Sequence, residues 1–336
     1  MLFCCADIIF AWNKNIYPKM KRLILNFLWL LGLCPLVAWA KTEQAVSLET
    51  PTGTINGKLL IPDVERPPVV LLIAGSGPTD MDGNTVSGAV SIKNNSLKFL
   101  AEGLARQGIA TLRYDKRGIA SSASAGKSEQ DLRFDDYVVD ASGWIDWLNR
   151  ENRFSSIYVL GHSEGSLIGM IACTDNRAVK GFVSLAGAGR PAYALIEEQM
   201  AGQPAEVRVL VKSFNDSLRA GRTISNVPMG LMALFRPSVQ PYLISWYRYD
   251  PCEILSGLKL PVLIVQGDRD IQVPVADAER LKQALPAARF LIVENMNHVL
   301  KPCESTDLAT QQAIYANPDL PVSEELITAI EKFIKQ

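Results

Sequence analysis

Apolar residues follow two rhythms along this chain, and the alternation between them sets its architecture. Short continuous runs, Val69 to Ile73, Ile109 to Tyr114, Ile157 to Leu160, Gly181 to Leu185, Val262 to Val265 and Arg289 to Val293, read as strands buried in a parallel sheet. Stretches apolar at helical spacing separate them. Leu97, Leu100, Ala101 and Leu104 mark one helix; Phe134 to Asn149 carries Tyr137, Val138, Ala141, Trp144, Ile145 and Leu148 on one face. Ser166 to Cys173, Ala276 to Ala284 and Ser323 to Lys335 are further helices. Ala45 to Leu48 and Thr54 to Ile61 alternate around Pro51-Thr52-Gly53 as an N-terminal hairpin. Strands alternating with helices imply an α/β fold: a mainly parallel sheet, helices on both faces, right-handed crossovers. Ligands of such sheets bind beyond the carboxyl ends of the strands.

The alternation lapses once. From Arg190 to about Tyr249 the chain is mostly helical and amphipathic, with Pro204, Pro228, Pro237 and Pro241 as breaks, so this stretch reads as a helical cap inserted between two strand–helix units. The first forty residues stand apart as well. Met20-Lys21-Arg22 precedes Leu23 to Val37, apolar apart from Asn26, and Ala38-Trp39-Ala40 follows. A positive start, a short apolar middle and an A-x-A end make a secretory signal peptide cut after Ala40, with no stable membrane insertion once it is removed. Residues 1–19 fit no part of such a signal, which places its start near Met20. The expected organisation is an N-terminal extension and signal peptide at 1–40, a core at 41–189, the cap at 190–250 and the rest of the core at 251–336. Such a protein resides in the periplasm or is secreted.

Composition narrows the chemistry. With 48% hydrophobic residues, 21% charged and a net charge of −1, the 336-residue chain can bury a full core and offers no basic field for nucleic acid. Only two histidines and no C-x-x-C pair leave no common zinc-ligand spacing, and no metal or organic cofactor is implied.

One motif carries a mechanism. Gly161-His162-Ser163-Glu164-Gly165 sits between the run Ile157 to Leu160 and the helix from Ser166, the strand–turn–helix setting of a G-x-S-x-G nucleophile elbow. A serine hydroxyl needs a base, and the base needs a third group to orient it. His162 is adjacent to Ser163, so its side chain diverges from the hydroxyl. His298, in a loop just after the last strand, is the remaining base. Asp270, after Gly267-Asp268-Arg269 at the end of the Val262 strand, can turn back towards it, while Asp268 stabilises the turn or pairs with Arg269. Ser163, Asp270 and His298 follow the Ser–Asp–His order of α/β-hydrolases.

Over nearly all of residues 45–336 the chain resembles the α/β-hydrolase superfamily, and more narrowly its bacterial esterases and serine-aminopeptidase-like hydrolases. The resemblance is carried by Gly75-Ser76-Gly77-Pro78 with Asp80 and Asp82-Gly83-Asn84, by Asp115-Lys116-Arg117-Gly118, by the elbow, by Gly267 to Asp270, and by Asn297-His298. Phe235 to Leu243 and Tyr249-Asp250-Pro251 also match. The resemblance implies an oxyanion hole from the backbone N–H groups of Ser76 and Glu164, which the glycines beside Ser76 suit. Met81 stands where these enzymes have arginine, and Ala120 where glycine is frequent.

The sequence therefore points to a secreted or periplasmic serine hydrolase that cleaves a small-molecule carboxylic ester through an acyl-enzyme. A serine aminopeptidase acting on short peptides is the alternative, with Glu197 or Glu198 holding the substrate amine. A catalytically inactive hydrolase fold used for binding is a third reading. Asp115 and Arg117 read as loop-bracing charges, and Cys173 as core. Tyr242, Trp246, Tyr247 and Tyr249 suit either the wall of an acyl pocket or packing of the cap. Cys252 and Cys303 lie in loops at one sheet edge, so in an oxidising compartment they are expected to form a disulfide.

Overall fold

A computed structural model describes residues 42–87 and 90–336; the expected signal peptide lies outside the described residues. The chain opens with the antiparallel hairpin of β1 (Thr42–Thr50) and β2 (Gly53–Ile61). β3 (Val69–Ile73) follows, then a small two-stranded ribbon, β4 (Thr85–Ser87) and β5 (Val90–Ile92). The remaining strands are β6 (Ala110–Tyr114), β7 (Ile157–His162), β8 (Val179–Leu185), β9 (Val262–Gly267) and β10 (Arg289–Val293). The main sheet has eight strands in the order β1-β2-β6-β3-β7-β8-β9-β10. Only the β1–β2 and β2–β6 pairs are antiparallel; from β6 to β10 the sheet is parallel.

Why the strand runs are continuous rather than alternating is visible in β3. Val69, Leu71 and Ile73 enter the core on one face, Val70 and Leu72 the core on the other, since successive side chains of a strand point in opposite directions. Helices α1 (Ser96–Arg106) and α11 (Glu324–Ile334) cover one face. Helices α2 (Phe134–Glu151) and α3 (Glu164–Cys173) cover the other. The clearest amphipathic pattern is in α11, which buries Leu326, Ile327, Ile330, Phe333 and Ile334 and is capped by the Ser323 side chain, which accepts from the Leu326 amide.

Sequence order and strand order diverge at β3. The chain steps from β3 to β6 on one side, then crosses back to β7 on the other. The loops leaving β3 and β7 therefore part from each other and open a crevice at the carboxyl edge.

The expected helical insertion comes between β8 and β9. It comprises α4 (Ala192–Gln199), α5 (Ala205–Arg219), the single turn α6 (Met232–Phe235) and α7 (Gln240–Trp246), followed by α8 (Pro251–Ser256). Of the four prolines expected as breaks, three open helical segments: Pro204 immediately precedes α5, Pro228 precedes a short turn at Met229–Leu231, and Pro241 lies in the first turn of α7, where a missing N–H costs no intrahelical bond. Phe134, at the start of α2, stacks on Trp246 at 5.8 Å, and its amide donates to Ser245 Oγ at 2.8 Å. Helix α9 (Val275–Ala284) and α10 (Leu308–Tyr315) complete the fold.

Candidate active site

The elbow is set by sterics at both ends of the pentapeptide. Ser163 takes φ 55° and ψ −121°, a conformation a side chain rarely adopts. A Cβ on Gly161 would lie 2.0 Å from the Gly165 carbonyl oxygen, and one on Gly165 would lie 2.4 Å from that of Ile73. Both contacts are impossible, so the two glycines are what allow β7 to turn into α3 within one residue. The Ser163 amide is held by the Leu185 carbonyl at 2.9 Å, which fixes the elbow to the end of β8.

Asp270 and His298 meet as expected. His298 Nδ1 donates to Asp270 Oδ2 at 2.7 Å, and both side chains are almost fully buried. The other oxygen of Asp270 accepts the amides of Gln272 and Val273 at 2.8 and 2.9 Å, and Oδ2 also accepts Gln266 Nε2 at 2.9 Å. Burial pushes the Asp270 pKa up, but the His298 charge, its hydrogen bond and the two amides outweigh it, so the carboxyl stays ionised below the usual range. With Nδ1 committed to Asp270, Nε2 is the nitrogen left for Ser163, and the two residues line the same cavity. Among the described residues the Ser163 hydroxyl has no hydrogen-bond partner.

Asp268 has the turn role expected of it. Its Oδ1 accepts the Asn295 amide at 2.7 Å, and its other oxygen lies 3.3 Å from Arg269. It thereby ties the acid-bearing loop after β9 to the histidine loop after β10. A Cβ on Gly267 would meet the Met296 carbonyl oxygen at 2.1 Å, so those loops touch backbone to backbone.

His162 does not face the serine hydroxyl. Its Nε2–H donates to the His298 carbonyl at 2.8 Å, and the two rings lie 4.8 Å apart. Burial first, and then the neighbouring His298, lower its pKa to about 3, so the ring is neutral and pins the histidine loop rather than moving protons.

The loop-bracing role of Asp115 and Arg117 is visible in their contacts. Asp115 accepts the Met81 amide at 2.7 Å and both the amide and hydroxyl of Ser121, while Arg117 forms a buried two-pronged pair with Asp140. Met81 is itself buried, its amide serving the same brace, and Ala120 adopts the left-handed φ of 42° that a glycine would take freely.

Lys116 has a role that sequence reasoning missed. It is 1% exposed, and its ammonium donates to the Gly75 carbonyl at 2.5 Å and to Glu164 Oε2 at 3.1 Å. Glu164 Oε1 accepts the Tyr242 hydroxyl, whose pKa burial and the Glu164 charge push far up. A lysine beside two acceptable loop charges gave no periodic signal of its own.

Two cavities flank Ser163. One, of about 100 Å³, runs beneath the insertion and is walled by Leu167, Ala192, Leu195, Ile196 and Trp246. The other, of about 290 Å³, holds His298 and is walled by Thr79, Asn94, Gln272 and Tyr315. Ser76 and Ser163 line both. Of Tyr242, Trp246, Tyr247 and Tyr249, Trp246 alone lines this first cavity. Tyr242 bonds Glu164, Tyr247 bonds Asn215 and Tyr249 bonds Asp135.

Two expectations are corrected. Cys252 and Cys303 are free thiols, not a disulfide. Cys252 Sγ donates to the Gly189 carbonyl at 3.1 Å, against the loop leaving β8. Cys303 is folded beneath the histidine loop, its amide on the Asn295 carbonyl at 2.6 Å and its thiol on Ser305. Cys252 lies in the first turn of α8 rather than in a loop, and each thiol is engaged by its own neighbours. Glu197 and Glu198 also fail to reach the site: Glu197 accepts from Asn215 Nδ2 at 3.1 Å, Glu198 pairs with Arg190, and neither lines the cavities beside Ser163.

A mostly parallel eight-stranded sheet with a strained serine at its carboxyl edge and an aspartate–histidine pair beside it is the α/β-hydrolase fold. Comparison with known proteins agrees with that fold and finds similarity to esterases and to a serine-aminopeptidase family model. A family model described as Serine aminopeptidase, S33 matches residues 86–226. Esterase EstD of Thermotoga maritima is 27% identical over 289 residues, covering 83% of this chain and 67% of that protein. Among solved structures, Est1E from Butyrivibrio proteoclasticus superposes with a TM-score of 0.55 at 18% identity, covering 87% of this chain and 99% of its own. The α/β-hydrolase GrgF from Penicillium sp. sh18 gives 0.57 at 17% identity, covering 88% and 98%.

Proposed function

We propose that this protein is a secreted or periplasmic serine hydrolase that cleaves small carboxylic esters through an acyl-enzyme. The observation that carries the reading is the 2.7 Å bond from His298 Nδ1 to a fully satisfied Asp270, at the edge where the elbow lifts Ser163. Ser163 Oγ attacks the ester carbonyl as His298 Nε2 takes its proton, and Asp270 stabilises the imidazolium. Substrate binding is the event that brings the serine hydroxyl onto the histidine, since catalytic bonds in unliganded sites tighten in the complex. The oxyanion forms against the amides of Ser76 and Glu164. The latter opens α3, where a helix's first N–H groups have no carbonyl one turn back.

The two cavities divide the ester between them. The leaving alcohol has to collect its proton from His298, so it occupies the cavity His298 lines. The acyl group then lies in the smaller cavity beneath α4, where Leu167, Leu195 and Ile196 offer an apolar wall beside the polar Arg190 and Gln199. The peptidase reading has the matched family description in its favour, but among the described residues no carboxylate is free beside Ser163 to hold an amine, since Glu164 is already engaged by Lys116 and Tyr242. The run from Met20 to Ala40 supports export.

Labelling of the purified protein by a fluorophosphonate, lost in Ser163→Ala, is the direct test of a serine nucleophile; an unlabelled wild type would leave the binding-protein reading. Hydrolysis of p-nitrophenyl esters of graded acyl length, measured beside aminoacyl anilides, separates esterase from peptidase. Export is tested by cell fractionation and N-terminal sequencing, with Lys41 as the expected first residue.

A further inference from the structure

The buried Lys116 ammonium contacts the peptide that carries the Ser76 amide and the side chain of Glu164, the two residues proposed to supply the oxyanion hole. The Gly75 carbonyl that it holds at 2.5 Å belongs to the same peptide group as the Ser76 amide. The Glu164 carboxylate that it holds at 3.1 Å belongs to the residue supplying the second amide. We infer that Lys116 is a positioning residue for the oxyanion hole, fixing and polarising the Gly75–Ser76 peptide so that its N–H points at the developing charge. This inference rests on the serine-hydrolase reading of the site.

The physical case has three parts. Gly75 has no Cβ, so backbone sterics restrict its ψ, and with it the plane of the Gly75–Ser76 peptide, only weakly. A donor fixed on the carbonyl oxygen supplies what the backbone does not. Second, a peptide is a conjugated unit: a cation on the oxygen draws density from the nitrogen and makes the N–H a stronger donor, as charge-assisted bonds are. Third, the long-range field of the ammonium cannot be the main effect. The Glu164 carboxylate neutralises it within the same buried cluster, and the Tyr242 hydroxyl fixes the far oxygen of that carboxylate. What survives is the contact with Gly75. The ammonium is itself held in place, lying 4.9 Å from the centroid of the Tyr137 ring.

The competing role for Lys116 is structural, as the counter-ion of a buried glutamate. Replacing the lysine alone would strand that carboxylate and confuse the two roles. The test is therefore the double variant Lys116→Met, Glu164→Gln, which removes the ammonium without leaving an unpaired charge. The readouts are melting temperature, fluorophosphonate titration of Ser163, kcat and KM on a p-nitrophenyl ester, and inhibition by phenylboronic acid, whose tetrahedral adduct places an oxygen in the hole. For a positioning role, the double variant melts near wild type and keeps KM, while kcat and boronate affinity fall together by about tenfold to a hundredfold. That is less than the loss expected for deleting a donor outright. Boronate affinity within about threefold of wild type in a folded double variant overturns the proposal. Should that double variant not fold, Lys116→Gln combined with Glu164→Gln carries the same comparison without stranding a carboxylate. The amide at position 116 can replace the contact but not the charge, and unchanged kcat and boronate affinity there also overturn it. A wild type that fluorophosphonate does not label refutes the serine-hydrolase reading instead, so the two failures are distinct.

Discussion

The carboxyl edge of the sheet and the helical insertion above it are built on different principles. At the edge, backbone approaches set the geometry: β7 meets α3 through two glycines that admit no side chain, and Gly267 lets the acid loop lie against the histidine loop. The four acceptor contacts of Asp270 leave it no second orientation. In the insertion, side-chain packing sets the geometry: Phe134 on Trp246, Tyr247 on Asn215, Gln240 on the Ile224 and Phe235 backbones. The first arrangement tolerates almost no substitution and fixes the placement of the proposed catalytic groups. The second can be repacked, and it shapes the cavity that decides which substrates enter.

That contrast is broken most severely at the edge. Ser163→Ala or His298→Ala should lower kcat by about 10⁴-fold or more with the fold intact, because members of a triad act as a unit. Ser163→Ala activity within about tenfold of wild type is incompatible with the assignment.

Next in size is the separation of two neighbouring aspartates. Asp270→Asn should depress turnover by about the same order, since the imidazole loses the partner that fixes its tautomer. Asp268→Asn should act chiefly on the melting temperature through the lost Asn295 tie. Matched kinetic and melting assays with the effects reversed would mean the wrong acid has been chosen.

The insertion should respond differently. Leu195→Trp fills the cavity beneath α4, so activity on longer acyl esters should fall by about tenfold to a hundredfold, the scale of a few methylenes in an apolar pocket. Acetyl ester turnover and labelling by a small fluorophosphonate should persist. A uniform loss across acyl lengths would show that the acyl group lies elsewhere.

His162 gives a smaller, pH-dependent effect. Its folded pKa of about 3 lies below its unfolded value of 6.5, so between those limits the unfolded chain binds the extra proton. Stability should therefore decline as pH falls from 6.5 towards 3, by at most about 1.4 kcal/mol per pH unit from this group. The Asp270 contribution has the same sign but is lost lower, as pH falls through a folded pKa beneath 3.8. Denaturant melts of wild type and His162→Gln across this range should show a shallower acid slope in the variant; parallel slopes would place the acid sensitivity elsewhere.

The smallest effect belongs to a loop. Ala120 holds a φ of 42°, and Ala120→Gly should stabilise the fold by about 1 kcal/mol, the left-handed strain relieved less the entropy glycine loses on folding. Loss of stability in a thermal melt would show that the loop is not strained there.

By itself the sequence determined the strand–helix alternation, the elbow, the pairing of Asp270 with His298 and the interval occupied by the helical insertion. Each is legible because its cause is local. Burial on both faces writes a continuous apolar run, an impossible Cβ writes a glycine, and two histidines leave little choice of base. The order of strands, and with it every contact across the sheet edge, was decided only in three dimensions. Lys116 reaches Gly75 across 41 positions, Tyr242 reaches Glu164 across 78 and His162 reaches His298 across 136, and no periodicity records such pairings. The same limit explains the two cysteines. A shared sheet edge could be argued from topology, but Cys252 falls in the first turn of α8 and each thiol bonds within its own surroundings, Gly189 for one and Ser305 for the other. Local sterics select residues one at a time and so leave a trace in sequence, whereas a long-range polar contact requires only that two compatible groups arrive together.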